Sequence, residues 1–142
     1  MTVLHQTRHK NKTIAALLAF LFGSLGLHRL YLGGWRDRWL WLHLASLPAA
    51  WLVALAAPDA NGFYKLLPII VSALAGFLEA LVLGLTPDDK WDLRHNPQSG
   101  RQSDTRWPVA VVLVASMMIG AGSLIATISR LFDLLYTGGA YG

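Results

Sequence analysis

The chain has 142 residues, of which 54% are hydrophobic and 14% charged, with six Trp, no Cys and a formal net charge of +4. Soluble domains average about 25% charged residues, so this composition excludes an ordinary soluble enzyme domain and points to a multi-pass membrane protein of a single domain. The lack of cysteine excludes a disulfide, a thiolate metal site and a Cys nucleophile. The basic excess sits at the ends of apolar runs, not in a stripe interleaved with aromatics, which suits membrane orientation and anionic lipid and excludes nucleic acid as a partner.

Residues 1–12 form a basic N-terminal segment carrying Arg8, Lys10 and Lys12. Four apolar helical segments follow, predicting an all-α integral membrane protein folded as an antiparallel helical bundle. The first covers residues 13–27, or 13–32 if it continues through His28 and Arg29. A spanning helix needs about 20 apolar residues, so this segment either spans through its polar end or is short and re-entrant. No small-residue cleavage site follows it, so a secretory signal peptide is not expected. The second segment covers residues 39–57, the third 66–85, and the fourth 107–135, each long enough to span. Between them lie a basic turn with Trp35, Arg36 and Arg38, a neutral-to-acidic turn from Pro58 to Gly62, and a polar loop over residues 87–106. Residues 96–103 of that loop read as unstructured, being rich in Pro, Gly, Ser and Gln.

The end of the first segment is the most specific local pattern. Basic Lys10 and Lys12 precede the apolar run, Gly23 and Gly26 interrupt it, and Gly26-Leu27-His28-Arg29-Leu30-Tyr31-Leu32-Gly33 closes it. This layout resembles the signature of the TM2-domain family, small membrane proteins built on a helical hairpin. The resemblance covers roughly residues 10–57 and implies a TM2-like hairpin over residues 13–57. A third transmembrane helix (58–86), a cytoplasmic loop (87–106) and a fourth helix with a short tail (107–142) then follow. Leu30 stands where family members usually carry Phe, and His28 where many eukaryotic members carry Asp, so a role tied to that acid does not transfer.

The first and third loops hold Arg29, Arg36, Arg38, Lys90, Arg94, Arg101 and Arg106, whereas the second offers only Lys65. Both basic loops are therefore expected on the cytoplasmic side. A spanning first segment would place both termini outside and carry Arg8, Lys10 and Lys12 across. This four-helix arrangement is the favoured reading, and a re-entrant first segment is its alternative.

Within the membrane, Glu79 lies ~10 Å below the cytoplasmic end of the third segment at 1.5 Å per residue. His43, His28 and Arg29 share that leaflet. A carboxylate there needs a partner, because an unpaired charge costs at least ~2.5 kcal/mol. The cluster reads as a structural ion pair fixing helix register, or as a proton, ion or head-group site. Tyr31, Trp35, Trp39 and Trp41 mark the same boundary. They suit an aromatic belt, with Trp35, Arg36, Arg38 and Trp39 as the lipid-contact set. Asp88, Asp92 and His95 fall at i, i+4 and i+7, a spacing at which a helix would hold a divalent metal. Thr86-Pro87-Asp88-Asp89 reads equally as a capped helix start. Ser116, Gly120, Ser123 and Thr127 form a small-residue face suited to helix packing. Arg130 and Asp133 read as a local pair.

No nucleophile–base, HExxH or P-loop signature occurs. The chain is expected to be a non-enzymatic accessory, interaction or regulatory module of a bacterial-type inner membrane. It is expected to need no cofactor or metal and to have membrane lipids, a second copy or another membrane protein as partners. The alternatives are a small homo-oligomeric transporter or channel using Glu79, His43 and Arg29, and a lipid head-group enzyme using Asp88, Asp92 and His95.

Overall fold

The computed structural model describes residues 8–141, and these are helical with no strands. Six helices occur: α1 (Lys12–Phe22), α2 (Leu27–Gly33), α3 (Arg38–Ala56), α4 (Gly62–Leu85), α5 (Asp88–His95) and α6 (Pro108–Thr137). Three of them, α3, α4 and α6, are long and apolar enough to cross a membrane. At 1.5 Å per residue they measure ~28, ~36 and ~45 Å, so α6 exceeds a hydrocarbon core of about 30 Å. The all-α membrane bundle expected from composition is therefore the observed fold.

The favoured topology of the first segment is overturned. α1 has 11 residues, ~16 Å, about half a bilayer core. The chain then turns through a single 3-10 turn at Gly23–Leu25 and Gly26, and α2 runs back. The reversal is fixed at its mouth, where Asn11 N donates to the Tyr31 hydroxyl at 2.8 Å and Lys10 Nζ donates to Leu32 O. The segment is a re-entrant helical pair, not a span. The physical reason is that 14 apolar residues are too few to cross, and Gly26, at φ 69°, adopts the left-handed conformation that reverses the chain.

The N-terminal segment is held at the end where α2 and α4 finish. Lys10 N donates to Asn96 Oδ1 at 2.7 Å, the Trp91 indole donates to Lys10 O at 2.9 Å, and Lys12 Nζ donates to Thr86 O and Asp88 Oδ1, each at 2.6 Å. Among the described residues, every Lys and Arg except Lys65 and Arg130 belongs to this end. The conflict over Arg8, Lys10 and Lys12 disappears, since all three stay beside the first and third loops. The last residue of α6, Thr137, lies at the opposite end, three long helices away. Residues 1–7 of the basic N-terminal segment fall outside the described residues.

Small residues set the packing. Ala15, Ala16 and Ala19 on α1 and Ala80 on α4 are almost fully buried. Ala15 and Ala19 of α1 and Gly23 of the turn after it recur every four residues along one ridge, and Ser72, Gly76, Ala80 and Gly84 do so along α4. Such i, i+4 ridges interdigitate when nothing projects from them. At their crossing a Cβ added to Gly23 would sit 2.5 Å from Gly76 Cα, and the converse distance is the same. Gly84 faces Leu113 of α6, and Gly120 faces Phe77 of α4.

The polar loop is ordered, against the expectation for residues 96–103. Asn96 and Ser99 are buried. Ser103 donates to Asp92 through N at 2.6 Å and through Oγ at 2.5 Å, and Thr105 N donates to Asp88 at 2.9 Å. Composition indicated a loop correctly, but loop order came from the two acids, which act as clamps. Thr86 does not cap α5. Its hydroxyl turns back to Val82 O, and Pro87 precedes the first turn.

Candidate functional site: a polar cluster inside the membrane

The re-entrant pair leaves irregular backbone at membrane depth, which is tolerated only where protein partners satisfy it. Ser24 O, in the turn between α1 and α2, accepts from Ser72 Oγ at 2.8 Å. Ser72 lies ~20 Å along α4 from its Leu85 end, so the tip of the pair reaches about mid-membrane. His43 of α3 meets the same hydroxyl, Nδ1 to Oγ at 2.7 Å. Gly26 makes the approach feasible, since a Cβ there would lie 3.0 Å from His43 Cβ and 3.2 Å from Leu40 Cδ1.

Glu79 sits ~9 Å below the end of α4 and collects three side chains. Arg29 Nε donates to Glu79 Oε2 at 3.0 Å, Arg29 Nη2 donates to Oε1, and His28 Nε2 contacts Oε2. His43 Nε2 stands 3.5 Å from the same Oε2. The bidentate Arg29 fork neutralises the carboxylate and fixes its plane. His28 is fully buried, and its Nδ1 has no hydrogen-bond partner among the described residues. The two imidazoles meet edge to face, with centroids 5.5 Å apart. The α1–α2 pair, α3 and α4 are thus tied by one polar knot in one leaflet.

His28, Arg29, His43 and Glu79 are accordingly brought together, along with two hydroxyl residues that sequence reasoning did not assign to this cluster, Ser72 and Ser24. Ser72 carried a usable signal as a hydroxyl four residues from Gly76 and seven from Glu79, on the same helix face. Tyr31 caps the mouth of the re-entrant pair through its hydroxyl, and Gly33 ends α2. Trp35, Arg36, Arg38 and Trp39 are exposed around the turn into α3, and the Arg29 guanidinium lies 5.8 Å from the Trp39 ring centroid.

Asp88, Asp92 and His95 do not converge on a metal. Asp88 takes Lys12 and Thr105, Asp92 takes Asn96 and Ser103, and the His95 ring lies tilted against Trp91, their centroids 4.4 Å apart. Burial works to raise the Asp88 carboxyl, but the bonds from Lys12 and Thr105 outweigh it and hold it at about 2. Asp92 is lowered too, its burial outweighed by Asn96 and Ser103, while burial and neighbouring Arg94 push His95 down. Of the α6 face, Ser116 is fully buried and Gly120 packs on Phe77. Thr127 bonds its own helix at Ser123 O, and Arg130 pairs with Asp133 at 2.5 Å.

A groove of about 610 Å³ opens between α3 and α4. Its wall is apolar, from Leu42 and Ala49 to Leu67 and Val71, and His43 and Glu79 stand on its lining.

Residues 8–55 match the family described as TM2 domain. Over 24 residues the chain is 71% identical to the uncharacterized membrane protein YozV of Bacillus subtilis (strain 168), a stretch covering 17% of this chain and 30% of that protein. The match thus spans under a third of that relative's length. No solved structure matches the chain.

Proposed function

On the premise that residues 8–55 form a TM2 domain, we propose that this membrane protein is a non-enzymatic accessory or interaction module of a bacterial inner membrane. The observation carrying this reading is that the polar residues inside the membrane close on one another in a single leaflet. Past Ser72, α4 continues through Val71, Ile70, Ile69, Leu67 and Leu66 before Lys65 and Tyr64 near its other end, so α4 adds no charged group between Ser72 and Lys65. Long outward faces of α3 and α6 remain for lipid or for helices of other chains, with Trp51, Leu55, Met118 and Ile125 each more than half exposed. The basic end takes the cytoplasmic side by the charge rule, and Trp35, Arg36, Arg38 and Trp39 meet anionic head groups there.

The transporter reading has one observation in its favour: Glu79 and His43 line a groove open along α3 and α4, which a second copy would close. The two readings part in a proteoliposome experiment on the full chain. The accessory reading expects no proton or cation flux above protein-free vesicles and, in cells, site-specific crosslinks from exposed α6 positions such as Ile125 to a discrete membrane protein. Glu79-dependent flux would overturn it.

A further inference from the structure

We propose that His28, His43 and Glu79 form a three-ligand site for a divalent transition metal of the zinc class, facing the groove between α3 and α4. One ligand atom from each lies within 4.8 Å of the others, and no other such group of three occurs among the described residues.

Hydrogen counting carries the argument. Ser72 has one hydroxyl proton and donates it to Ser24 O, so at the 2.7 Å contact with His43 the hydroxyl accepts and Nδ1 carries the hydrogen. Nε2 is then the His43 nitrogen left to ligate, and it stands 3.5 Å from Glu79 Oε2. At that distance inside a membrane, a ligating nitrogen and a carboxylate oxygen call for a cation between them. The spacing is that of two ligands on one metal: bonds of about 2.0–2.1 Å at a tetrahedral angle put neighbouring ligand atoms ~3.3 Å apart. His28 Nε2, in direct contact with Oε2, would move off that oxygen to supply the third direction, from α2.

The surroundings are those of a metal ligand set. A ligating histidine usually donates its second ring nitrogen to an oxygen that fixes its tautomer. His43 does so to Ser72, which is itself anchored on the re-entrant turn. Arg29 holds both carboxylate oxygens, Nη2 on Oε1 and Nε on Oε2 at 3.0 Å, which fixes the plane of the carboxylate and makes Oε2 the oxygen a metal would share with Arg29. Two imidazoles and one carboxylate make a borderline-soft set that selects zinc-class ions over Mg²⁺ or Ca²⁺. Three protein ligands leave a fourth position. Since metal and Arg29 together exceed the charge of Glu79, that position favours an anionic ligand entering by the groove. His28 Nδ1 is unpartnered whether or not a metal binds, and does not discriminate.

The test uses the full chain, purified in mild detergent without chelator. Co²⁺ is titrated as a spectroscopic probe and then displaced with Zn²⁺. The expected result is one Co²⁺ per chain with the visible bands of a four- or five-coordinate nitrogen–oxygen site, bleached by Zn²⁺. Affinity should fall at least ~100-fold in His43→Ala or His28→Ala, at least ~10-fold in Glu79→Gln, and about 10-fold in Ser72→Ala, which removes only a supporting contact. His95→Ala and His9→Ala should bind like the parent. X-ray absorption of the Zn²⁺-loaded parent protein needs no variant and should show two imidazoles. No uptake at neutral pH would overturn the proposal and leave a protonated His43 as the cation. So would uptake indifferent to His28 and His43, or a spectrum without imidazole.

Discussion

The contact between Gly23 and Gly76 is where the re-entrant pair is most vulnerable. A methyl group at either position would lie 2.5 Å from the Cα of the other, against the 3.5–4.0 Å at which carbon atoms rest. Both sides of the clash are backbone, so no rotamer relieves it, and the tip of α1 must move off α4 by about 1 Å or more. That shift carries the 2.8 Å bond from Ser72 Oγ to Ser24 O beyond hydrogen-bond range and leaves a buried carbonyl unpaired. Overpacking costs about 1–3 kcal/mol and the orphaned carbonyl about 1–3 more, so Gly23→Ala and Gly76→Ala should each destabilise the protein by roughly 2–6 kcal/mol. Gly122→Ala is the matched control, because its Cβ would meet nothing within 4 Å among the described residues; it should be neutral or gain a few tenths of a kcal/mol from helix propensity, within a Gly-to-Ala range of about 1. Unfolding by sodium dodecyl sulfate titration from mild-detergent micelles, followed by circular dichroism, measures all three. The double variant should cost clearly less than the sum, since both methyls force one separation. If Gly23→Ala and Gly76→Ala unfold with the same midpoint as Gly122→Ala, the close helix approach does not exist and the re-entrant arrangement fails with it.

Glu79→Ala should lower stability by ~3–5 kcal/mol, because it strands Arg29 and two histidines beside a cavity. Glu79→Gln should cost less, since an amide oxygen still accepts from Arg29, and equal losses in the same titration would count against the polar knot. Single cysteines on this cysteine-free chain report topology: Arg8→Cys and Gln102→Cys should react with a membrane-impermeant maleimide from one side, Asp59→Cys and Ala140→Cys from the other. Labelling of Arg8→Cys together with Asp59→Cys would restore a spanning first segment. The Asp88 clamp should titrate at low pH. Its folded carboxyl lies at about 2, below the ordinary 3.8, so its stabilisation is fully present above pH ~4 and is lost as pH falls towards 2. Protease nicking of the 87–106 loop should therefore be unchanged from pH 7 to 5 and rise below 4, while Asp88→Asn should nick readily at pH 7. The worth of the clamp is on the order of 1 kcal/mol, given the partial solvent access of Asp88.

Much of this architecture was legible because hydrophobic length is a local property. The apolar runs at 39–57, 66–85 and 107–135 each exceed a bilayer's need, and they became α3, α4 and α6 with ends moved by at most a turn. The Gly-rich end of the first run announced a break in the same way, since a left-handed residue such as Gly26 is a local demand on the backbone. Charge placement also held the right answer: the rule that basic residues gather on one side favoured a re-entrant segment, while segment count favoured a span. The decision needed the tertiary contacts of Lys10, Asn11 and Lys12, which connect residues 20 to 86 positions apart. The polar cluster divides along the same line. That Glu79, His43 and Arg29 lie at one depth follows from helical rise alone. That His43 also reaches Ser72, that Ser72 holds the Ser24 carbonyl, and that both histidines meet one carboxylate oxygen depends on the rotation of each helix about its axis. Rotation is set by which small-residue ridges interlock, here Ala19 and Gly23 against Gly76. A sequence reports the spacing of such a ridge, but its partner is chosen only when all the helices pack at once.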